Sequence, residues 1–388
     1  MDKKIAVGII GIGNMGTSHV QNIMNGKCPD LEVVAVADKN PDRLAWIKNE
    51  YKDADIACFE TGEEMIESGL LDACVVAVPH YDHTRYAIMC IERGIHVMVE
   101  KPAGVYTKQV REMNEVAEKH PEVVFGMMFN QRTNHIYRKM KELVHSGEYG
   151  EIRRTNWLIT SWYRPQAYYD SGDWRATWSG EGGGVLLNQC PHQLDLWQWI
   201  CGMPVSVQSH VHYGKWHDIE VEDDVTTYVE YPNGATGVFI TSTGDAHGTN
   251  RFEIQMDKAK IVAENDKLYV LEYEQSEKEY TKTNTMPFGL VEAHEVDVQT
   301  DGKNEQHVGV FNAWAGAILR GTPLIAEGKE GINGLTLSNA MHLSSFTNSK
   351  ITLPLDEELY YNELMKRVAT SRRKENVTAV FADTSSTY

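Results

Sequence analysis

Ile5-Ala6-Val7-Gly8-Ile9-Ile10-Gly11-Ile12-Gly13-Asn14-Met15-Gly16 is the stretch on which the fold of this chain turns. Small and β-branched apolar residues run straight into Gly-x-Gly-x-x-Gly, the pattern of a buried parallel strand feeding a tight turn and a helix. Gly11 permits the turn, Gly13 lets a pyrophosphate approach the backbone, and Gly16 lets helix and strand pack closely. The helix that follows offers backbone N–H groups and the positive end of its dipole to phosphates. A second apolar strand, Leu31 to Ala37, ends in Asp38, where a carboxylate takes the ribose hydroxyls. Together these elements predict a dinucleotide site rather than a plain α/β turn. Asp38 would repel a 2′-phosphate and accept from a 2′,3′-diol, which favours NAD over NADP. Lys39 and Arg43 lie close enough in sequence to blunt that preference.

The chain has 388 residues, enough for two domains with a buried core in each. Its 42% hydrophobic and 24% charged content is ordinary for a soluble globular protein. A formal net charge of −18 argues against a nucleic-acid or anionic-membrane partner. The compact basic run Arg372-Arg373-Lys374 reads as a solvated helix end, and the last dozen residues read as a frayed tail. No apolar run approaches the roughly 20 residues of a membrane helix. The N-terminus enters a strand at once and leaves no room for a signal peptide. Six cysteines without paired spacing (Cys28, Cys58, Cys74, Cys90, Cys190, Cys201) point to free thiols and a cytoplasmic location.

Outward from the glycine turn, strand and helix patterns alternate to about residue 128. Strands are expected at Ala73–Val78, Ile95–Val99 and Val123–Met128, with helices around 81–93 and 107–119 between them and one over 133–145 beyond. That alternation predicts an α/β, doubly wound parallel sheet over 1–128. Strand-like stretches then follow in succession (151–162, 204–213, 221–231, 235–243, 251–256, 259–264, 267–274). With helices near 184–200, 307–320 and 330–346, they predict an α+β domain over 129–388 with a large, mostly antiparallel open sheet. Such a sheet leaves one face to be covered, which suggests a homodimer or homotetramer.

Three segments carry candidate chemistry. Glu100-Lys101-Pro102 stands at the carboxyl end of an apolar strand, where a lysine points into the cofactor crevice and Pro102 fixes the backbone after it. The alternative is an exposed lysine at a strand end. Gly182-Gly183-Gly184 opens a helix on which Asn188 and His192, four apart, share a face. His192 there can act as general base while Asn188 orients a substrate hydroxyl, and Asp195 can hold the imidazole or a neighbouring loop. A buried histidine satisfied by the core is the plainer reading. A metal site built from Cys190, His192 and Asp195 fails because these residues share no good helical face, so no metal is expected. His210 and His212 face the same way on a strand but lack further ligands. The third segment is aromatic: Trp157, Trp162, Tyr163, Tyr168, Tyr169, Trp174 and Trp178, interleaved with Arg164 and Arg175. Flat faces and guanidinium groups suit a sugar ring, and equally suit packing between domains.

In order and spacing these pieces resemble the glucose–fructose oxidoreductase / inositol dehydrogenase (Gfo/Idh/MocA) family. The resemblance rests on Gly11-Ile12-Gly13-Asn14-Met15-Gly16, on Glu100-Lys101-Pro102 and on the glycine-led helix with His192 and Asp195. It implies a Rossmann domain, a second domain whose open sheet mediates dimers or tetramers, and Lys101 with His192 as the catalytic pair. The family often places an aspartate where this chain has Asn188, which leaves the acid/base load on His192. The cofactor set it implies comprises the glycine turn, Asp38, Pro79, His80, His83, Glu100, Lys101 and Asn130. The substrate set comprises Lys101, Tyr163, Arg164, Trp174, Arg175, Asn188 and His192. The stretch from Arg164 to Trp178 looks like a subgroup that handles sugars or glycosides, sometimes at ring carbon 3.

The mechanism expected on this basis is reversible hydride transfer from a secondary ring hydroxyl of a sugar, glycoside or cyclitol to NAD. One rival is a redox-neutral glycosidase or lyase that uses bound NAD transiently. Another is a non-catalytic NAD sensor.

Overall fold

The computed structural model describes residues 4–372, 374 and 377. Two sheets organise the chain. The first contains β1 (Ile5–Ile10), β2 (Leu31–Ala37), β3 (Ala57–Phe59), β4 (Ala73–Val76), β5 (His96–Val99) and β6 (Phe125–Met127). Every pairing in it is parallel, and the strand order is β3-β2-β1-β4-β5-β6. β1 therefore lies between β2 and β4, and the chain reverses its direction of winding there. The carboxyl ends of β1 and β4 flank the crevice of a doubly wound sheet.

The second sheet contains β7 (Ile152–Ile159), β8 (Ser206–Tyr213), β9 (Glu222–Glu230), β10 (Thr236–Ser242), β11 (Asn250–Met256), β12 (Ala259–Glu264), β13 (Lys267–Tyr273), β14 (Ala293–Asp297) and β15 (Ile351–Thr352). Its order is β14-β13-β12-β11-β7-β10-β9-β8-β15. Neighbours run antiparallel except β7 and β10, which are parallel. Burial alternates along β8, β9 and β10, so one face is packed and the other open. Helices Pro191–Cys201 and Gly331–Thr347 are buried along most of their length on the packed side. His210 and His212 lie exposed on the open side.

The strands and helices expected from the sequence are present with ends displaced by at most three residues, as is usual for boundaries. The helix expected near 184–200 is instead a π-turn, Val185–Gln189, followed by the separate helix Pro191–Cys201. Pro191 at the first helical position has no N–H to continue the preceding turn, which accounts for the break.

The chain beyond residue 128 also returns to the first sheet. Helix Gln306–Arg320 adds Val310, Phe311, Trp314 and Ala315 to the apolar cluster that contains Ile5, Val7, Ile9, Val33 and Val75. At the other end, the last helix, Glu357–Val368, stops short of the basic run. That run is no helix end: the Arg372 N–H donates to Glu220 at 2.8 Å, and Lys374 Nζ donates to the Tyr169 carbonyl at 2.7 Å. Arg373 and the final dozen residues, apart from residue 377, lie outside the described residues. All six cysteines are unpaired, four of them buried. Among the described residues no helix is long and apolar enough to cross a membrane.

Candidate functional site

The glycine turn leaves β1 at the crevice. Gly11 has φ +90°, a conformation that favours glycine, and its N–H donates to the Ala37 carbonyl at 2.8 Å. A Cβ on Gly16 would collide with the Gly11 carbonyl oxygen, so close packing of helix on strand requires glycine there. A Cβ on Gly13 would meet nothing within 4 Å. Space thus opens at the N-terminus of helix Asn14–Met24, where no side chain caps the first turn and no acidic residue opposes an anion. Ile12 lies buried beneath the turn.

Asp38, at the end of β2, reaches across to this turn. Its Oδ2 accepts from the Ile12 N–H at 2.6 Å, and its Oδ1 accepts from the Asn40 N–H at 2.8 Å. Each carboxylate oxygen keeps a further lone pair for a diol. An open helix N-terminus, a glycine without neighbours and a fixed carboxylate fit a dinucleotide.

β4 ends in the loop that carries Pro79, His80 and His83. His83 lies buried between two carbonyl oxygens, Pro102 O at 2.6 Å and Val78 O at 2.7 Å, and so ties this loop to the segment after β5. His80 Nδ1 meets the Glu181 carbonyl at 3.1 Å. Burial, with His83 and Lys101 nearby, holds the His80 imidazole well below the ordinary histidine range.

β5 ends at Glu100 and Lys101. Glu100 is buried and meets His19 Nε2 at 2.6 Å. Burial alone would raise its carboxyl, yet the His19 hydrogen bond and the charges of His19, His307 and Lys101 bring it down to about 2. Glu100 also accepts from the Lys101 N–H at 3.1 Å, which fixes the backbone one residue before the ammonium. Lys101 Nζ donates to the Asn188 carbonyl at 2.9 Å, so the lysine is no exposed strand end. Burial lowers its pKa, with Glu100 and Glu181 opposing the shift.

His192 is 2% exposed, on the first turn of helix Pro191–Cys201, with the Phe129 ring edge-on at 6.3 Å. Burial and the charge of Lys101 push its pKa well below 6.5, with Glu100 opposing. One expectation about this segment is corrected and, of the two open for Asp195, the second holds. Asn188 belongs to the π-turn, so it does not share a helical face with His192. Asp195 holds a neighbouring loop: it receives two 2.7 Å hydrogen bonds from Arg132, a residue on the turn Asn130–Thr133 that sequence patterns did not flag. Cys190 turns away to meet Thr241 Oγ1 at 3.0 Å. Asn130 directs its amide to Gln306 on the returning helix.

Residues 5–127 match the oxidoreductase family with an NAD-binding Rossmann fold, and residues 137–262 match the GFO/IDH/MocA C-terminal domain. The chain belongs to the GFO/IDH/MocA family. Its members are oxidoreductases, and NAD is the cofactor of this one. It is 28% identical over 267 residues to a myo-inositol 2-dehydrogenase from Thermotoga maritima, covering 67% of this chain and 75% of the relative. It is 27% identical over 248 residues to a D-glucoside 3-dehydrogenase from Escherichia coli, covering 59% and 68%. Among solved structures it is similar to the WlbA dehydrogenase of Chromobacterium violaceum in complex with NADH and UDP-GlcNAcA. The TM-score is 0.78 at 25% identity, over 92% of this chain and 98% of that one.

Within this GFO/IDH/MocA chain the aromatic cluster divides. Trp157, Tyr169 and Trp178 are core residues, Trp157 stacking on Phe252 at 4.2 Å. Trp162, Tyr163, Tyr168 and Trp174 remain partly accessible beside the two arginines. Arg164 lies over the rings of Trp162 and Tyr168 at 5.7 and 5.2 Å. Arg175 lies 4.4 Å from the Tyr168 ring centre and 4.7 Å from that of Trp174, whose edge approaches His80. Packing and an accessible aromatic rim therefore coexist in one stretch.

Proposed function

We propose that this chain reversibly oxidises a secondary ring hydroxyl of a sugar, a glycoside (with C3 as one candidate position) or a cyclitol, with NAD as hydride acceptor. The reading rests above all on Lys101 Nζ lying 2.9 Å from the Asn188 carbonyl, which joins the end of β5 to the segment that leads to His192. The inositol and glucoside dehydrogenases among its relatives support the substrate class. Residues 1–128 act as the nucleotide domain, and 129–388 as the substrate and assembly domain.

NAD, when bound, supplies the electrophilic carbon of its nicotinamide ring. The glycine turn and Asp38 hold it, with Pro79, His80, His83, Glu100, Lys101 and Asn130 along the rest of its path. His192, kept neutral by burial and by the Lys101 charge, accepts the hydroxyl proton at a ring nitrogen. Lys101 donates to the same hydroxyl oxygen and stabilises the charge that develops on it as the carbinol hydrogen departs with its electron pair. Asn188, Tyr163, Arg164, Trp174 and Arg175 orient the ring. The test is a panel of cyclitols, aldoses and glycosides incubated with NAD and followed at the NADH absorbance band. Growth of that band with at least one compound is expected. Release of a leaving group without net NADH would overturn the reading in favour of a redox-neutral lyase.

A further inference from the structure

Glu181 lies next to the three glycines, yet neither the glycine turn, the Glu-Lys-Pro triplet nor the histidine helix points to it. It is 1% exposed. Its Oε2 accepts from the Ala176 N–H at 2.6 Å, and its Oε1 accepts a short hydrogen bond from Asn188 Nδ2. Arg175 Nη1 stands 3.7 Å from Oε1. Its backbone carbonyl faces His80, so one residue touches the loop after β4 and the π-turn together. Burial raises its carboxyl; Glu222 pushes the same way, and Arg175, the Ala176 N–H and Asn188 oppose.

The Asn188 amide has two N–H donors and one carbonyl acceptor. Glu181 takes one donor, and Tyr168 Oη stands 3.4 Å from the same nitrogen. That phenol oxygen also receives Arg175 at 2.7 Å and Gln189 at 3.1 Å. With the Ala176 N–H, the Asn188 amide and the Arg175 guanidinium all directed at its two oxygens, the Glu181 carboxyl group accepts on every side, and so it holds the amide nitrogen rather than the amide oxygen. Glu181 thereby dictates which way the amide points. Asn188 Oδ1 is left on the other side, with no donor to it among the described residues, while the backbone carbonyl of the same residue holds Lys101 Nζ.

We propose that Glu181 is a positioning residue that locks Asn188 Oδ1 toward the substrate crevice, so that the site selects a ring hydroxyl vicinal to the one being oxidised. This rests on the dehydrogenase reading above and names what that site demands of its substrate. Glu181 supplies from the adjoining loop the carboxylate that an asparagine at 188 withholds, and uses it to orient an amide. A substrate lacking that hydroxyl leaves Oδ1 unpaired, a loss that hydrogen-bonding sites punish heavily.

The experiment compares the best substrate of the wild type with each of its monodeoxy analogues, in wild type, Glu181→Gln, Glu181→Asp and Asn188→Ala. One monodeoxy analogue should fall at least about 100-fold in kcat/KM in the wild type. Glutamine offers a donor as well as an acceptor and frees the amide to rotate. Glu181→Gln should therefore shrink that one ratio by at least about tenfold and leave the ratios for the other analogues unchanged. Glu181→Asp, which can only accept, should restore part of it, and Asn188→Ala should abolish it. NAD affinity, measured by calorimetry, should match the wild type throughout. If Glu181→Gln lowers kcat/KM equally for every analogue, the residue is merely structural and the inference falls alone. If the wild type oxidises no sugar, glycoside or cyclitol, the functional reading falls and the inference with it.

Discussion

Arg132 holds Asp195 through two hydrogen bonds of 2.7 Å in a place where both side chains are 1% exposed. The guanidinium also donates to Glu330 at 2.6 Å and lies over the rings of Phe129 and Trp199. It fastens helix Pro191–Cys201, which carries His192, to the turn that follows β6. Removing the carboxylate would leave the buried guanidinium with Glu330 as its one carboxylate partner among the described residues. Asp195→Ala should cost roughly 3–5 kcal/mol of unfolding free energy, read from denaturant melts. Arg132→Lys should also destabilise, because an ammonium cannot reproduce the bidentate fork. An unchanged midpoint in both variants would show that the pair carries no structural weight.

Asp38 is expected to set the choice of cofactor. Its carboxylate already anchors the Ile12 N–H at 2.6 Å, so Asp38→Ala removes both a partner for the ribose diol and a brace of the turn. NAD binding should weaken by roughly 1–3 kcal/mol, and the gap to NADP should narrow. Calorimetric titration of both nucleotides checks this. A wild type that prefers NADP would sink the assignment.

His192 and Lys101 should fail differently. His192→Ala should lower kcat by roughly 10²–10⁴-fold with little change in NAD affinity. Lys101→Ala should lower turnover as well, and Lys101→Arg should not restore it, since a guanidinium is wider and holds its proton. The general base must be deprotonated, and burial with the Lys101 charge pushes the His192 pKa well below 6.5. The rate should therefore rise with pH through a limb below the ordinary histidine range and stay level through neutrality. That limb should vanish in His192→Ala. Near-normal turnover with the same profile in that variant would remove His192 from the chemistry.

The open face of the nine-stranded sheet should be an interface between copies. It carries Leu158 and Tyr228, 37% and 39% exposed, among the charged residues Arg153, Arg154, Glu253 and Lys260. Light scattering at micromolar concentration should give a dimer or tetramer, and Leu158→Glu should shift it toward monomer. A wild-type mass near 43.9 kDa would exclude the assembly.

How much of this was legible beforehand follows the range of the interactions. The turn from Gly11 to Gly16, Asp38 and Lys101 are written in local patterns, because a strand end and its loop are decided within a few residues. β3 and β15, three and two residues long, carry too little periodicity to be read. The parallel pairing of β7 with β10 depends on strands more than seventy residues apart, which no local pattern encodes. Asn188 and His192, spaced as if on one helical face, lie on two elements, because Pro191 ends the π-turn and opens a separate helix. Arg132 matters through Asp195 and Glu330, far away in the chain, and Glu181 through a loop whose hydrogen bonds to Ala176 and Asn188 follow no regular spacing.

Helix Gln306–Arg320 closes over the outside of the parallel sheet, with Trp314 fully buried and its indole nitrogen 3.3 Å from the Val124 carbonyl. The nucleotide half is therefore not a detachable module. A fragment cut after residue 128 would lose Val310, Phe311, Trp314 and Ala315 from the apolar cluster to which Ile5, Ile9 and Val33 belong. The apolar cluster on that face of the sheet is built from both halves of the chain, so a cavity opened at Trp314 would lower the stability of the half that carries the glycine turn.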